Sequence, residues 1–298
     1  MNPRRLITFS ITFSTILTTI LTTIGLGLGF IANPVMGQTC GSSYLFACGK
    51  ARPTDPSGMF WIMEESVEAI ADSYSSLRRD RFDIVAETDD DRVTGKWLRK
   101  NLAWYAQNLD NDDTFVFYIH THGTTRGMPL FKMTFDELRN RLLAIPAKNV
   151  IAFIMTCHSG SLVEKFDEVS RRWEGRREEG RNLLVFSAVA PDEQGSVSVH
   201  DECGNPFSYA VERAVKPVSQ RRRPHRFDGA DGFSPYRKDW DRWRRRSGAV
   251  SMGELDRYII EITKWADDHV AYNAGQSRKN PMSTGSYRPG EVFVTPGR

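Results

Sequence analysis

Two apolar segments constrain this chain more than anything else in it. Thr114–Gly123 reads TFVFYIHTHG and Val150–Ser161 reads VIAFIMTCHSGS. Both are near-continuous runs of β-branched, aromatic and apolar residues, the pattern of strands buried on both faces of a sheet. Each run stops at a reactive residue: His122 directly before Gly123, and Cys157 within Thr-Cys-His-Ser-Gly. A buried strand ending in a thiol, beside another ending in an imidazole, is one way to build a fixed cysteine–histidine dyad.

The sequence between them supports that arrangement. Thr134-Phe135-Asp136-Glu137 has the form of a helix capping box, and Leu138, Leu142 and Leu143 follow at helical spacing. Strand, helix, strand is a βαβ unit, in which a right-handed crossover makes the two strands parallel and ends them on the same edge. Ligands of α/β sheets bind at that carboxyl edge. His122 and Cys157 are therefore expected to face one crevice.

The same alternation runs along the chain. Strands are expected at Tyr44–Cys48, Phe82–Ala86 and Leu183–Ala188, and helices at Phe60–Leu77, Lys96–Leu109, Phe207–Val215 and Met252–His269. Glu291–Thr295 reads as a final edge strand. This order predicts an α/β fold with layers of helix around a mostly parallel sheet.

In the expected chemistry, Cys157 attacks an electrophilic carbon as thiolate and His122 manages the protons. Gly123 lacks a side chain, so its N–H can approach the substrate closely and, with the N–H of Cys157, form an oxyanion hole. Ser159 and Gly160 shape the turn out of the strand. Two plainer readings compete. Taken alone, Cys157 is a small buried hydrophobe and His122 a hydrogen-bonded turn histidine. Alternatively His120 and His122, on one face of a strand, join Cys157 and His158 as zinc ligands. A Cys-x-Ser-Gly turn and Gly123 serve no metal purpose, so no cofactor or metal is expected.

His122-Gly123 and Cys157-His-Ser-Gly160 resemble the His-Gly and Cys-x-Ser-Gly motifs of the caspase-like cysteine peptidases, the group of caspases, metacaspases, legumains and the GPI-transamidase catalytic subunit. Thr156–Ser161 is most similar to the metacaspase nucleophile segment, and Asn182–Pro191 resembles the next strand of legumains, which also ends in small residues. The resemblance covers residues 110–197. It implies a three-layer α/β/α sandwich of the caspase-like type and a cysteine endopeptidase acting on protein or peptide substrates. It also carries departures. Thr121 stands where legumains have an acid before the histidine, and Met155 where metacaspases and legumains have one two positions before the cysteine. Gly49-Lys50-Ala51-Arg52 shows no match to the basic pocket residues of legumains, so neither asparagine nor arginine selectivity is implied. Ser187 on the small-residue strand end, with Asp192 and Glu193 just beyond it, are the expected substrate-binding residues. The two acids favour Arg or Lys through a charge-assisted contact, or else form an exposed acidic turn.

Outside this region the chain has an uncharged stretch from Leu6 to Ala32 preceded by Arg4-Arg5, with Val35-Met36-Gly37 as a small-residue cut site. Residues 1–37 are thus expected to be a secretory signal, giving a secreted or periplasmic protein, with 38–298 as the peptidase domain. An uncleaved membrane anchor is the alternative. With Cys157 kept reduced, one disulfide is permitted among Cys40, Cys48 and Cys203. Charged loops are expected at 170–181 and 220–246. In caspases the linker cut on activation follows the nucleophile strand, so the resemblance makes Arg171, Arg172, Arg176 and Arg177 candidate self-cleavage sites. The net charge of +3 is too small to imply nucleic-acid binding. A silent binding or scaffold module and a transpeptidase using the same dyad are the other functional readings.

Overall fold

A computed structural model describes residues 41–52, 54–55, 57–77, 80–89, 91–177, 180–195, 205–215, 249–274 and 279–294. Residues 1–37, expected to be a signal or anchor, Cys40, Cys203 and the 220–246 stretch lie outside the described residues. Among the described residues, no helix is long and apolar enough to cross a membrane.

The expected alternation is realised. In chain order the elements are β1 (Ser43–Lys50), α1 (Ser57–Ser75), β2 (Phe82–Glu87), α2 (Gly95–Asn108), β3 (Thr114–Thr121), β4 (Gly127–Met128), β5 (Met133–Thr134), α3 (Phe135–Leu143), β6 (Asn149–Met155) and α4 (Gly160–Arg177). There follow β7 (Asn182–Ser187), α5 (Pro206–Val215), β8 (Val250–Ser251), α6 (Met252–Ala274), β9 (Met282–Ser286) and β10 (Val292–Val294). Six strands form one sheet in the order β2-β1-β3-β6-β7-β9, parallel throughout except for antiparallel β9. All residues of β3 and of β6 are buried, as their unbroken apolar runs require.

The two faces of the sheet carry separate cores. Val116, Tyr118, Ile151 and Phe153 pack with Val67 and Ile70 of α1, Phe207 and Val211 of α5, and Leu255 and Ile259 of α6. Phe115, Phe117, Val150 and Ala152 pack with Leu98 of α2, Leu138 of α3, and Leu162 and Phe166 of α4. The result is the three-layer α/β/α sandwich with a mostly parallel sheet.

A buried polar ladder fixes the register of the three central strands. Asn182 Nδ2 donates to Asn149 Oδ1 at 2.8 Å, and Asn149 Nδ2 donates to Thr114 Oγ1 at 2.9 Å. Thr114 pairs with Asn149, and Asn149 with Asn182. A slip of one residue breaks both bonds and turns every side chain to the opposite face.

Four details depart from expectation. Thr134 caps α3 by accepting the Glu137 N–H, but the Glu137 carboxylate does not reach back to complete the capping box. It binds Arg99 of α2 and Arg141 instead, because two guanidinium groups hold a carboxylate better than one amide does. The stretch 170–181 is not a loop over its whole length, since α4 runs through to Arg177. Its Arg and Glu residues are good helix formers and favour continuation of the helix. Glu291–Thr295 is not the sheet edge: β10 pairs antiparallel with β8 in a separate ribbon. The true edge is β9, whose sequence MSTGS carries no apolar pattern. Finally, Cys48 is a free thiol, fully buried near the end of β1. Burial pushes its pKa up, which keeps it protonated and inert.

Candidate active site

The β3–β6 register ends with His120 opposite Met155. Carried on by two residues, the same register would bring the backbones of His122 and Cys157 side by side. Backbone packing holds the strand ends together beyond the last ladder bond. A Cβ on Gly123 would lie 2.1 Å from the Cys157 carbonyl oxygen and 2.7 Å from Thr156 Oγ1. Only glycine permits that approach. Thr121 Oγ1 donates to the Lys50 carbonyl at 2.8 Å, tying the end of β3 to the end of β1 on its other side.

That tie brings in a residue the sequence reading missed. His122 Nε2 donates to Asp55 Oδ2 at 2.5 Å. Asp55 follows β1 in a short turn that it closes itself: its N–H donates to the Arg52 carbonyl, and its Oδ2 accepts the Arg52 N–H at 2.6 Å. The side chains of His122 and Asp55 are 22% and 11% exposed, so the pair is partly open to solvent. Burial alone would raise the Asp55 pKa. The hydrogen bonds from His122 and Arg52, with their charges, outweigh it and hold the carboxyl below the usual range. With Nε2 committed to Asp55, Nδ1 is the His122 atom left for other chemistry.

Cys157 stands on a sharp strand-to-helix turn. His158, directly after it, has φ of +58°, a left-handed conformation that costs a side-chain-bearing residue about 1 kcal/mol or more. Two hydrogen bonds hold it there. The His158 N–H donates to the Glu193 carbonyl at 2.8 Å, and its Nδ1–H donates to the Pro191 carbonyl at 2.9 Å. Gly160 then opens α4 against Pro191, whose Cδ would lie 2.6 Å from a Cβ added there. The segment after β7 continues across the strand end, and the Gly195 N–H donates to Cys157 Sγ at 3.4 Å.

Of the residues expected to bind substrate, two are engaged elsewhere. Ser187 is fully buried, and its hydroxyl donates to the Val189 carbonyl at 3.1 Å, with the Met282 carbonyl next nearest. The Glu193 carboxylate accepts from the Ala190 N–H at 2.9 Å, the Asn280 N–H at 2.8 Å and Asn280 Nδ2 at 2.6 Å. Burial would raise its pKa, but these donors and the Lys279 charge hold it low. Small loops after a strand leave backbone donors that a nearby carboxylate captures, so Glu193 is an organiser of the turn and not a free pocket acid. Asp192 is exposed. Met155 is buried, and its Cε lies 3.1 Å from the position of a Cβ on Gly195, so the strand position that holds an acid in the resembling families is filled here.

The zinc grouping does not assemble. Among the described residues, no cluster of three His, Cys, Asp or Glu side chains is arranged to hold a metal ion. His158 turns to Pro191 and His122 to Asp55. His120 is buried with Nδ1 unpartnered, and burial, with the His122 charge adding, pushes its pKa down to about 3, so it is a neutral core residue. Asp55 lies three residues beyond Arg52 in a proline-flanked turn, and only the pairing of β1 with β3 makes that turn relevant to His122.

No family model matches this sequence, and no curated protein matches it. Among solved structures, the chain is similar to the crystal structure of caspase-1 from Spodoptera frugiperda at 9% sequence identity and a TM-score of 0.46, over 86% of this chain and 89% of that one.

Proposed function

We propose that this protein is an exported cysteine endopeptidase in which Cys157 is the nucleophile and His122 the acid/base. The observation that carries the reading is the joint geometry at one sheet edge: His122 oriented by Asp55, beside a cysteine on a strained strand-to-helix turn. Merely structural residues have no need of a carboxylate-bonded imidazole and a left-handed residue held in adjacent turns.

The chemistry follows from the atoms. Nδ1 of His122 takes the Cys157 thiol proton, and the thiolate attacks the scissile carbonyl carbon. The negative charge that develops on the carbonyl oxygen is met by the N–H groups of Gly123 and Cys157, each such donor contributing about 3 kcal/mol to the transition state. His122 returns its proton to the departing amine as the carbon–nitrogen bond breaks, leaving a thioester on Cys157. It then takes a proton from water, whose oxygen adds to the thioester carbon and releases the carboxylate and the thiol. Asp55 keeps the ring in one tautomer and stabilises the imidazolium throughout. Arg4-Arg5 followed by the apolar stretch to Ala32 supports export of the domain.

A peptidyl chloromethyl ketone tests the dyad directly. The wild type is expected to be alkylated at Cys157 far faster than at its other cysteines, and His122→Ala to lose that preference. Equal labelling of Cys157 in the two proteins would remove His122 from the mechanism.

A further inference from the structure

The polar groups around Cys157 divide into two sets. Asp55 and His122 stand at the ends of β1 and β3, and their role is accounted for above. The second set lies after β7 and has no part in proton transfer. Glu193 gathers three N–H donors, two of them from Asn280, which lies just ahead of β9. The preceding Lys279 is itself anchored, its N–H donating to Oδ2 of buried Asp267 on α6 at 2.6 Å. The Glu193 carbonyl also receives the His158 N–H. One residue thus ties the loop to the turn of the nucleophile on one side and, through Asn280, to the chain leading into β9 on the other. Two residues later, the Gly195 N–H meets Cys157 Sγ.

We infer that Glu193, latched by Asn280, is a positioning residue that holds the Gly195 N–H on the Cys157 sulfur, and that this hydrogen bond favours the thiolate. The inference rests on the peptidase reading for its purpose, although not for its test. Gly195 packs closely on the strand end: a Cβ there would lie 3.1 Å from Met155 Cε and 3.8 Å from the Cys157 nitrogen. An N–H that donates to sulfur binds the anion more strongly than the thiol and thereby stabilises it. The geometric role and the bare charge of Glu193 act in opposite directions. An anion near a thiol disfavours the thiolate, so removing the charge alone would make Cys157 more reactive, whereas releasing the latch makes it less so. The other titratable groups near this loop and the strand ends include His120, His122, Asp55, His158, Asp192 and Lys279, whose charge acts on Glu193, and all are unchanged in the variants below.

The test is the rate of Cys157 alkylation by iodoacetamide, followed on its own peptide by mass spectrometry, in the full chain carrying Glu193→Gln or Asn280→Ala. Both variants are expected to label about tenfold more slowly than wild type near neutral pH, with the difference closing in alkali where the thiol is ionised in every protein. Asn280→Ala keeps the Glu193 charge, so a slower rate there isolates the latch. Unchanged rates in both variants, or faster labelling of Glu193→Gln, overturn the inference. The readout needs no peptide cleavage. Failure of the peptidase reading therefore appears as an inactive wild type whose labelling still responds to the latch, and failure of the latch as an active wild type whose labelling does not.

Discussion

Asp55 makes the difference between a pair of motif residues and an oriented site. Its carboxylate takes both the His122 Nε2–H and the Arg52 N–H, so Asp55→Asn keeps the shape and removes the charge that steadies the imidazolium. Peptide hydrolysis by that variant is expected to fall about 10²-fold in kcat/KM, the low end of what general acid–base catalysis contributes. Its pH signature has a definite sign. Because the folded Asp55 carboxyl titrates below its ordinary value, the pair's stabilisation is fully present above the ordinary carboxylate range and is lost as pH falls through the lowered value. Melting temperatures of wild type and Asp55→Asn should differ most near neutrality and converge in acid; a constant gap would contradict this. At Gly123 the expected outcome is purely steric. A methyl group aimed at the Cys157 carbonyl from 2.1 Å forces the strand ends apart, so Gly123→Ala should retain its circular dichroism spectrum and lose at least about 10²-fold in kcat/KM, as misplacement of reacting groups costs. His122, Gly123 and Cys157 were legible because each interrupts an apolar run. Asp55 was not, because it sits in an ordinary-looking turn whose relevance depends on which strand neighbours which. Glu193 was visible as an acid near the site, yet its role is set by Asn280, far away in sequence, and no local pattern announces that bond.

Among the elements, β3 and β6 place the site, and the Thr114–Asn149–Asn182 ladder at their opposite end sets the register that aligns His122 with Cys157. Asn149→Leu leaves the Asn182 amide and the Thr114 hydroxyl without their partner inside the sheet. Chemical denaturation should show a loss of about 1–3 kcal/mol, the cost of a buried polar group left unpaired; an unchanged midpoint would mean that the ladder does not specify the register. Strands buried on both faces and amphipathic helices could be read from periodicity, since burial dictates both patterns. Two elements escaped that reading, each for its own reason. Residues 170–177 are too charged to look packed, yet they continue α4. Strand β9, written MSTGS, is a strand because β7 presents an open edge to it, and Gly285 lets the two backbones approach, since a Cβ there would lie 2.1 Å from the Leu183 carbonyl oxygen. Tertiary context overrides local propensity at β9, whereas in α4 the propensity of the Arg and Glu residues itself carries the helix on.

On the scale of the whole molecule, function follows from strand order. The chain runs from β1 outward to β2 and then returns to the other side of β1 for β3. Loops leaving β1 and β3 therefore diverge at their carboxyl ends and open the crevice where α/β sheets bind ligands. Asp55 leaves β1 there, His122 leaves β3, and Cys157 leaves the adjacent β6. The layered fold was legible from alternation alone. The crevice's third residue was not, because strand order depends on which edges meet in three dimensions. The most direct measurement is cleavage of a positional-scanning library of fluorogenic peptides by the domain and by its Cys157→Ala variant. The account predicts hydrolysis by the wild type and its complete loss in the variant. Cleavage that survives the substitution contradicts it.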